Sequence, residues 1–481
     1  MRKPFVSGFD DIEHATDPTT LEVHGAVPEW LGGAFLRNGP ALFTIDGTRY
    51  NHWFDGLAML HRFGFEHGTV TYRSRWLDSR NRREVVESGK PRFDQFASNP
   101  KRSFWQKLVD TFDFTLQFGD NNLVSFGRFD DSWVALGETP IPLVLDPDTL
   151  ETPAQFRFRD RLIGMISCAH PVRDAGRRTT YGYDTFVFPL LSKYSFWRLD
   201  DGSRSRTRVW SQRVSRPSYM HSFGMSENHL VITEFPLRLR PGAMVAGCWT
   251  GVPFIENFDW TGEDVAFTVV EKDTGRVTGT FRAPAFFAFH HVNAWEDGEG
   301  RIVLDVAAYE DASVIQQTYF SRLLADDGGT LPVSQLLRYR VPLEGTGALM
   351  PPEVLSSTAF EMPAIHPDLL GRPYRFAWGY GFDEPGNLND TVYKVDLHAP
   401  EGERLTRWQE HGCYPSEPVF VPRPGAEAED DGVVLTVVLD GTRATSSLLV
   451  LDAHDLRELA RATVPVAIPH GLHGAYVGSP A

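Results

Sequence analysis

Cysteine is scarce in this sequence, and long apolar runs are missing from it. Its 481 residues include three widely spaced cysteines, Cys168, Cys248 and Cys413. Such a sparse, odd set gives neither a disulfide framework nor a cysteine-based zinc site, and it suits a reducing compartment. No uninterrupted apolar run approaches the roughly 18 residues that a membrane-spanning helix needs. Residues 1–17 also lack the apolar stretch of a signal peptide, so we expect a cytoplasmic protein.

Basic residues are fewer than acidic ones. Lysine and arginine total 47 against 63 aspartates and glutamates, which gives a formal net charge of −16. Contacts with nucleic-acid phosphates require a basic surface, so this balance argues against a nucleic-acid partner. With 42% hydrophobic residues, the chain can bury a large core. Its length suits two or three average domains or one large β domain.

Helical signal is scarce too, and short strand-like segments dominate. Runs such as "HLVITEF", "RIVLDVAAYE" and "GVVLTVVLD" recur along the chain, separated by turn residues. The best helical candidates are residues 104–116 and 311–327. Many short strands indicate a sandwich, a barrel or a propeller, and the length favours a propeller although no repeated signature marks its blades. We find no clear domain boundary.

Four histidine-containing segments stand out among the sixteen histidines. Each places histidine at the end of an apolar strand or beside a turn residue: "CAHPVRD" (His170), "YMHSFGMSENHLVI" (His221), "FFAFHHVNAWED" (His290, His291) and "IPHGLHGAYV" (His470, His473). A lone histidine near apolar residues is more often a packed core or surface residue than a ligand. None of these segments has the spacing that puts two ligands on one helix. A metal site would therefore need a fold that gathers them, as the converging inner strands of a propeller do.

An all-imidazole site would suit Zn, Cu, Fe or Ni, and the residues alone do not choose among these metals. Neutral histidine ligands need acceptors for their outer N–H groups, and these are usually carboxylates. An unpaired carboxylate is costly in an apolar, proline-flanked setting, and three glutamates occupy such settings: Glu138, Glu361 and Glu417. Each could equally be a salt-bridge partner or an exposed turn residue.

Seven segments in a fixed order resemble the carotenoid cleavage oxygenase family. They are "FLRNGPALF", "YNHWFDGLAMLHRFGF", "AHP", "MHSFG", "FHHVNAWE", "SEPVFVPRPG" and "HGLHGAYV". Any one motif is weak, but together they follow the family's order over nearly the whole chain. The resemblance implies an all-β fold, a seven-bladed β-propeller with a helical and loop cap over its top face. It also implies a single carotenoid oxygenase domain over residues 1–481, with an N-terminal extension at about residues 1–20.

The resemblance also implies a metal site. Family members hold one Fe(II) on the propeller axis with four histidines, which correspond here to His170, His221, His290 and His473. In the two double-histidine segments, the family pattern favours His290 over His291 and His473 over His470. Family glutamates that accept hydrogen bonds from three of the ligands correspond to Glu138, Glu361 and Glu417. With O2 as co-substrate, such a site would split an alkene into two aldehydes.

The resemblance favours a carotenoid or apocarotenoid substrate. "YNHWFDGLAMLHRFGF" followed by "GTVTYRSRWL" is most similar to the β-carotene oxygenase branch. Stilbene-cleaving members tend to place a lysine just before the first glutamate, where this chain has Gly137. Tyr309 matches an aromatic position that lines the family's substrate tunnel. Gly137 and Tyr309 are therefore predicted pocket residues.

Three alternatives stay open on the sequence. The chain could be a stilbene or phenylpropanoid cleaver, a retinoid isomerase, or a propeller that binds an apocarotenoid without turnover. The four filled histidine positions and three filled glutamate positions count against a protein without activity. The sequence does not separate an isomerase cleanly from a cleaving enzyme.

A carotenoid is too insoluble to arrive through water, so an exposed apolar patch for a membrane or lipid body is expected. The segment "SFWQKLVDTFDFTLQF" at residues 103–118 mixes apolar and basic side chains. It predicts peripheral membrane association through a patch formed by Phe104, Trp105, Leu108 and Phe112. Residues 186–197 could add to the patch. The alternative is ordinary packing of a helical cap.

Overall fold

Short strands stacked in successive sheets form most of the regular structure. The computed structural model describes residues 3–112, 119–325, 330–383 and 388–478. Within these residues, seven sheets of three to six strands form a seven-bladed β-propeller. Two further strand pairs are Leu237–Leu239 with Phe258–Trp260 and Thr44–Ile45 with Thr48–Arg49. The all-β propeller predicted from the sequence is confirmed.

The first four blades consist mostly of antiparallel strands. Blade 1 contains Thr19–Thr20, Thr69–Trp76, Leu57–Glu66, Gly33–Leu42 and Gly474–Val477. Blade 2 contains Leu143–Leu145, Ser132–Leu136 and Ser125–Phe129. Blade 3 contains Ile166–Ser167, Val172–Asp174, Thr179–Phe186, Lys193–Asp200 and Thr207–Arg213. Blade 4 contains Gly224–Met225, His229–Glu234, Val265–Glu271, Val277–Ala283 and Gly345–Ala348, the last of which pairs in parallel.

The last three blades complete the circle. Blade 5 contains Phe287–Glu296, Arg301–Tyr309, Gln335–Pro342 and Glu353–Ser356. Blade 6 contains Glu361–Ala364, Phe376–Gly381, Thr391–Asp396 and Leu405–Gln409. Blade 7 contains Val23–Gly25, Glu458–Val464, Thr445–Asp452, Gly432–Asp440, Cys413–Pro415 and Val419–Pro422.

The two ends of the chain close the ring together. Strand Gly33–Leu42 of blade 1 pairs with the C-terminal strand, with Arg37 opposite Gly474. Strand Val23–Gly25 pairs with blade 7, where Val23 lies opposite Ala462. The segment near the N-terminus also packs inward: Pro4–Phe9 is a short 3-10 helix whose Phe5 and Phe9 are buried. Closure therefore brings early and late parts of the sequence to the same inner edge.

The core lies between neighbouring blades, because each blade is covered on both faces. Strand Gly432–Asp440 shows this in its alternating side chains. Val433, Leu435 and Val437 pack toward blade 1, in a cluster with Phe63 and Tyr72. Val434 and Val438 point the other way, toward blade 6, in a cluster with Trp378 and Val392. Burial on both faces explains why such strands read as continuous apolar runs rather than as alternating ones.

The helices are few and short. They are Arg80–Ser88, Phe104–Phe112, Pro241–Thr250, Ser313–Gln317 and Phe320–Leu323, with 3-10 turns at Pro4–Phe9, Trp53–Asp55, Ile255–Asn257 and Pro367–Leu369. The first predicted helix therefore forms over Phe104–Phe112, and residues 113–116 of that prediction lie outside the described residues. No helix in the described part of the chain is long and apolar enough to cross a membrane.

The prediction of one helix over residues 311–327 is wrong. Two short helices form instead, and they are separated at Thr318 and Tyr319. The Thr318 hydroxyl lies 2.9 Å from His52 Nε2, and Tyr319 forms a β-bridge with His52. These tertiary contacts with residues far away in sequence replace continuation of the helix. Residues 326 and 327 lie outside the described residues.

Candidate metal centre

Four blades place one histidine each at a common point. His170 lies between two short strands of blade 3, and His221 precedes the first strand of blade 4. His290 lies in strand Phe287–Glu296 of blade 5, and His473 directly precedes the C-terminal strand of blade 1. A β-bulge between Ala288 and His291 interrupts the ladder beside His290, and bulges often re-aim side chains at functional sites. One ligand atom from each of the four histidines lies within 4.8 Å of the other three.

The spacing of the imidazole nitrogens fits one metal ion. The Nε2 atoms of His170 and His221 are 2.9 Å apart, and those of His290 and His473 are 3.3 Å apart. Histidine nitrogens that share an ion at about 2.1 Å each lie roughly 3–4 Å from one another. The four side chains are therefore close enough to hold a single ion without a change of fold.

Three of the histidines bind a glutamate through the outer ring nitrogen. His221 Nδ1 lies 2.7 Å from Glu138 Oε1, His290 Nδ1 lies 2.6 Å from Glu361 Oε2, and His473 Nδ1 lies 2.7 Å from Glu417 Oε1. When Nδ1 donates to a carboxylate, Nε2 of a neutral imidazole keeps its lone pair. The Nε2 atoms of His290 and His473 then face each other as two acceptors, an arrangement that a cation between them stabilises. His170 has no such carboxylate partner among the described residues.

Two of the imidazoles, those of His170 and His473, are held in the neutral form that binds metals. Burial, with a further contribution from the neighbouring imidazoles, lowers the pKa of His170 well below its usual value. The same causes lower the pKa of His473, and the nearby Arg37 guanidinium adds to the effect. Protonation therefore does not compete with a metal ion at these two residues near neutral pH.

Each glutamate is itself fixed by a second donor. The Tyr219 hydroxyl donates to Glu138 Oε1 at 2.8 Å, and the Met362 backbone N–H donates to Glu361 Oε2 at 2.9 Å. The Gly474 backbone N–H donates to Glu417 Oε2 at 2.6 Å. Burial raises the pKa of Glu417 to about 7, while the Arg37 guanidinium and the Gly474 N–H oppose that rise.

The two neighbouring histidines that the sequence left as alternatives have other contacts. His291 Nδ1 lies 2.8 Å from the Ser222 hydroxyl, and its Nε2 lies 2.8 Å from the Thr233 hydroxyl. His470 Nε2 lies 2.9 Å from the carbonyl oxygen of Phe5, and the His470 ring packs against Phe9. Neither belongs to the four-histidine cluster. His291 links the segments that carry His290 and His221, while His470 anchors the N-terminal 3-10 helix.

A mainly apolar cavity of about 210 Å³ leads to the histidine cluster. His221, His290 and His473 line one part of it. Aromatic and aliphatic side chains line much of the rest, including Phe54, Phe96, Met244, Phe254, Phe289 and Leu472. Gly137 and Tyr309, the two predicted pocket residues, both lie in its wall. Such a lining suits a hydrocarbon ligand and leaves little polar surface for water.

Gly137 keeps the wall open beside Glu138. A Cβ atom added to Gly137 would lie 2.9 Å from Asn122 Oδ1. Asn122 is tethered, because its Nδ2 donates to the Ile141 carbonyl at 2.7 Å. A larger residue at position 137 would therefore require Asn122 to move.

The predicted membrane patch is exposed in the part that the structure describes. Phe104 and Trp105 are 62% and 72% exposed, and Leu108 is half-buried. The side chain of Phe112 lies outside the described residues. In the segment 186–197, Leu190 is almost fully exposed, whereas Tyr194 and Phe196 are buried in blade 3.

Sequence reasoning missed a partner of this patch. The Phe104 ring packs against Trp249 of helix Pro241–Thr250, with ring centroids 5.8 Å apart. Lys107 Nζ donates to the Trp249 carbonyl oxygen at 2.7 Å. The same helix contributes Met244 to the cavity wall. One helix therefore links the exposed aromatic residues to the wall of the cavity.

Comparison with known proteins identifies the family. A family described as retinal pigment epithelial membrane protein (RPE65) matches residues 9–478. The chain belongs to this RPE65/carotenoid oxygenase family. The beta,beta-carotene 15,15'-dioxygenase of Gallus gallus is a carotenoid oxygenase relative that is 30% identical over 513 residues, which cover 97% of this chain and 96% of that protein.

Other members of the carotenoid oxygenase family have similar coverage. The carotenoid isomerooxygenase of Galleria mellonella is 31% identical over 97% of this chain and 94% of its own length. Among solved structures, a variant of Synechocystis apocarotenoid oxygenase has a TM-score of 0.85 at 24% identity and covers 99% of this chain and 98% of that chain. The cobalt-substituted form of that oxygenase has a TM-score of 0.83 at 24% identity, with the same coverage. These two structures support the propeller fold.

Proposed function

We propose that this chain is an Fe(II)-dependent dioxygenase that cleaves a C=C bond of a carotenoid or apocarotenoid into two aldehydes. The observation that carries the proposal is the position of the four-histidine cluster, with its three glutamates, against an apolar cavity. Relatives named carotenoid dioxygenases support the same chemistry. We further propose that the whole chain acts as a single carotenoid oxygenase domain.

The donor set supports iron as the resident metal. His170, His221, His290 and His473 would hold the ion through neutral imidazoles, and four nitrogen donors suit iron among other transition metals. Bound Fe(II) would supply the activation of O2 for oxidative cleavage. Because the described residues offer four histidine ligands and no carboxylate ligand at this point, a bound ion would remain accessible to O2 from the cavity.

The chain itself would position and shield the substrate. Glu138, Glu361 and Glu417 orient three of the imidazoles and keep their Nε2 lone pairs directed at the ion. The cavity wall, including Phe289 and Tyr309, would hold an extended polyene by apolar contact and exclude water from the reacting bond. The proposed reaction needs no separate acid or base, since both oxygen atoms of O2 end in the aldehydes.

Position 137 favours a polyene over a hydroxystilbene. Gly137 offers no amino group to a substrate phenol beside Glu138. The largely apolar lining likewise presents few polar partners for a phenolic ring.

We also propose that the enzyme takes its substrate from a membrane surface. Phe104 and Trp105 are exposed, and their helix packs on Pro241–Thr250, which lines the cavity. A hydrocarbon could therefore pass from lipid to the metal centre without crossing bulk water. This role would make the protein peripheral on a membrane rather than embedded in it.

Product analysis would test the proposed function. The protein is purified anaerobically, loaded with Fe(II), and supplied with O2 and separately β-carotene, an apocarotenal or a hydroxystilbene. We expect two aldehydes from a polyene, and their masses measured after liquid chromatography locate the cleaved bond. His290→Ala, which removes one ligand, should give no product. Cleavage of the hydroxystilbene alone would contradict the substrate assignment, and iron binding without any product would contradict the proposed dioxygenase.

A further inference from the structure

Arg37 is a buried arginine next to the proposed metal centre. Its side chain is only 3% exposed, and its Nη1 lies 3.4 Å from Glu417 Oε2. Glu417 in turn accepts the Nδ1 hydrogen of His473 through Oε1 at 2.7 Å. Arginine is seldom fully buried without a partner, so a position inside a propeller blade calls for a specific reason. Here Glu417 connects the Arg37 guanidinium with His473, a proposed metal ligand.

The backbone around Arg37 also holds the ligand-bearing segment. Arg37 lies opposite Gly474 in the ring-closing strand pair. The Asn38 backbone N–H donates to the His473 carbonyl at 3.0 Å, and the Leu472 N–H donates to the Asn38 carbonyl at 2.9 Å. Blade 1 therefore fixes the main chain around His473. Arg37 contacts Glu417, and Glu417 in turn holds the His473 ring.

Two glycines of the "HGLHG" segment make room for the guanidinium. A Cβ atom on Gly471 would lie 3.0 Å from Arg37 Nη2, and one on Gly474 would lie 3.0 Å from Arg37 Cδ. Larger residues at either position would press against this side chain. At Gly474 a Cβ atom would also lie 2.8 Å from the Leu36 carbonyl oxygen and 2.8 Å from Phe35 Cε2, so Gly471 is the glycine whose nearest neighbour is Arg37 itself.

The three glutamates differ in whether a positively charged side chain contacts them. Glu138 has the Tyr219 hydroxyl and Glu361 has the Met362 N–H as second donors, both of which are neutral. Among the described residues, Glu417 is the member of the trio that forms an ion pair with an arginine or lysine. Three ionised carboxylates would exceed the charge of one divalent ion by one, and the Arg37 guanidinium would balance that excess.

We propose that Arg37 is a positioning residue of the metal centre: it holds Glu417 in place to orient His473, and it balances the charge of the site. This inference rests on the proposed function only for the presence of a divalent ion. Removing the guanidinium should loosen His473, because Glu417 then keeps the Gly474 N–H as its remaining fixed donor. At a pH high enough to keep Glu417 ionised, it should also favour Fe(III) over Fe(II), since the site becomes more negative by one charge.

A double-mutant cycle with Fe(II) alone tests the proposal. Dissociation constants are measured by anaerobic equilibrium dialysis for wild type, Arg37→Met, Glu417→Gln and the double variant. We expect each single change to weaken Fe(II) binding by about tenfold, at the lower end of the range for outer ligand partners. The double variant should bind Fe(II) no more weakly than Glu417→Gln, because Arg37 acts through Glu417.

The reduction potential gives a readout that a purely structural role would not move. Arg37→Met should shift the Fe(III)/Fe(II) equilibrium about tenfold toward Fe(III), a fall of about 59 mV for a one-electron couple. Glu417→Gln should shift it in the opposite direction. Arg37→Lys keeps the charge and should bring the potential back toward the wild-type value, which also covers the case in which Arg37→Met folds poorly.

Arg338→Met is the matched control. The Arg338 side chain is 13% exposed and pairs with Asp305 at 2.8 Å in blade 5. Its replacement should lower thermal stability without changing the dissociation constant or the potential. Wild-type values in Arg37→Met, additive losses in the double variant, or equal effects in Arg338→Met would each overturn the proposal. A wild-type chain that binds no Fe(II) would instead overturn the proposed function, and this inference with it.

Discussion

Replacing Phe104 and Trp105 with serine should release the protein from lipid vesicles. The two rings are 62% and 72% exposed, so together they present roughly 250 Å² of surface if each ring offers about 150–250 Å² in full. At about 25 cal/mol per Å², complete immersion of that area is worth roughly 6 kcal/mol. Immersion of half of it is worth roughly 3 kcal/mol, which corresponds to more than a hundredfold in the partition coefficient.

Sedimentation with neutral phosphatidylcholine vesicles measures this coefficient directly. Neutral lipid isolates the apolar contribution from any attraction between basic residues and anionic head groups. Met350→Ser is a suitable control, since Met350 is 82% exposed but lies outside the helices that carry Phe104 and Trp249. Both changes remove an exposed apolar side chain, so the fold should tolerate both.

The two variants separate a specific patch from general surface hydrophobicity. We expect the vesicle partition coefficient of Phe104→Ser/Trp105→Ser to be at least tenfold below that of wild type. The coefficient of Met350→Ser should stay near the wild-type value. Equal loss in both variants, or wild-type binding in the double variant, would refute the membrane reading. In either case Phe104 would be a packing partner of Trp249 and nothing more.

Three further predictions concern a proposed metal ligand and two buried residues, Gly8 and Asp55. His473→Ala should lose metal binding in dialysis while His470→Ala retains it, and the reverse result would contradict the choice of ligand. Gly8→Ala places a Cβ atom 2.3 Å from His470 Nε2 and should lower the free energy of unfolding by about 1–3 kcal/mol. A smaller loss when His470 is also replaced with alanine would confirm the clash between the two side chains, and an equal loss would exclude it. Burial raises the pKa of Asp55 to about 7, so its contribution to stability is present below pH 4 and is lost as pH rises toward 7. Between pH 4 and 8, the free energy of unfolding of Asp55→Asn, measured by denaturant titration, should therefore change less than that of wild type, by up to about 4 kcal/mol. An equal change in both proteins would show that Asp55 titrates normally.

The strands could be predicted from the sequence because they are local patterns, whereas the seven-bladed propeller was implied by the resemblance of the motifs to a known family. A run such as "GVVLTVVLD" identifies a buried strand from its own residues, and the structure places a strand there. The helix over 311–327 failed for the opposite reason. Its break at Thr318 depends on His52, more than 260 residues earlier, and no local pattern encodes that contact.

The candidate site divides in the same way. The four histidines and three glutamates stood out because each follows an apolar strand or lies in a proline-flanked turn, and family motifs then singled out one histidine in each pair. Arg37 lies within the motif "FLRNGPALF", but the motif alone assigned no role to it. Its role depends on the pairing of residue 37 with residue 474, and this register is fixed by ring closure rather than by the motif. A buried cation inside an apolar strand was nevertheless a usable signal.

The position of His473 makes the metal centre dependent on closure of the ring. Three ligands come from the consecutive blades 3, 4 and 5, but the fourth precedes the strand that seals blade 1. An open ring would leave His170, His221 and His290 together, but His473 and Glu417 would no longer be held beside them by the ring-closing strand pair. A bound ion would therefore stabilise the closed state over the open one, because it binds the closed ring more tightly. Binding of a metal ion would thus be coupled to folding of the two chain ends, through the same Arg37–Gly474 pairing that holds His473.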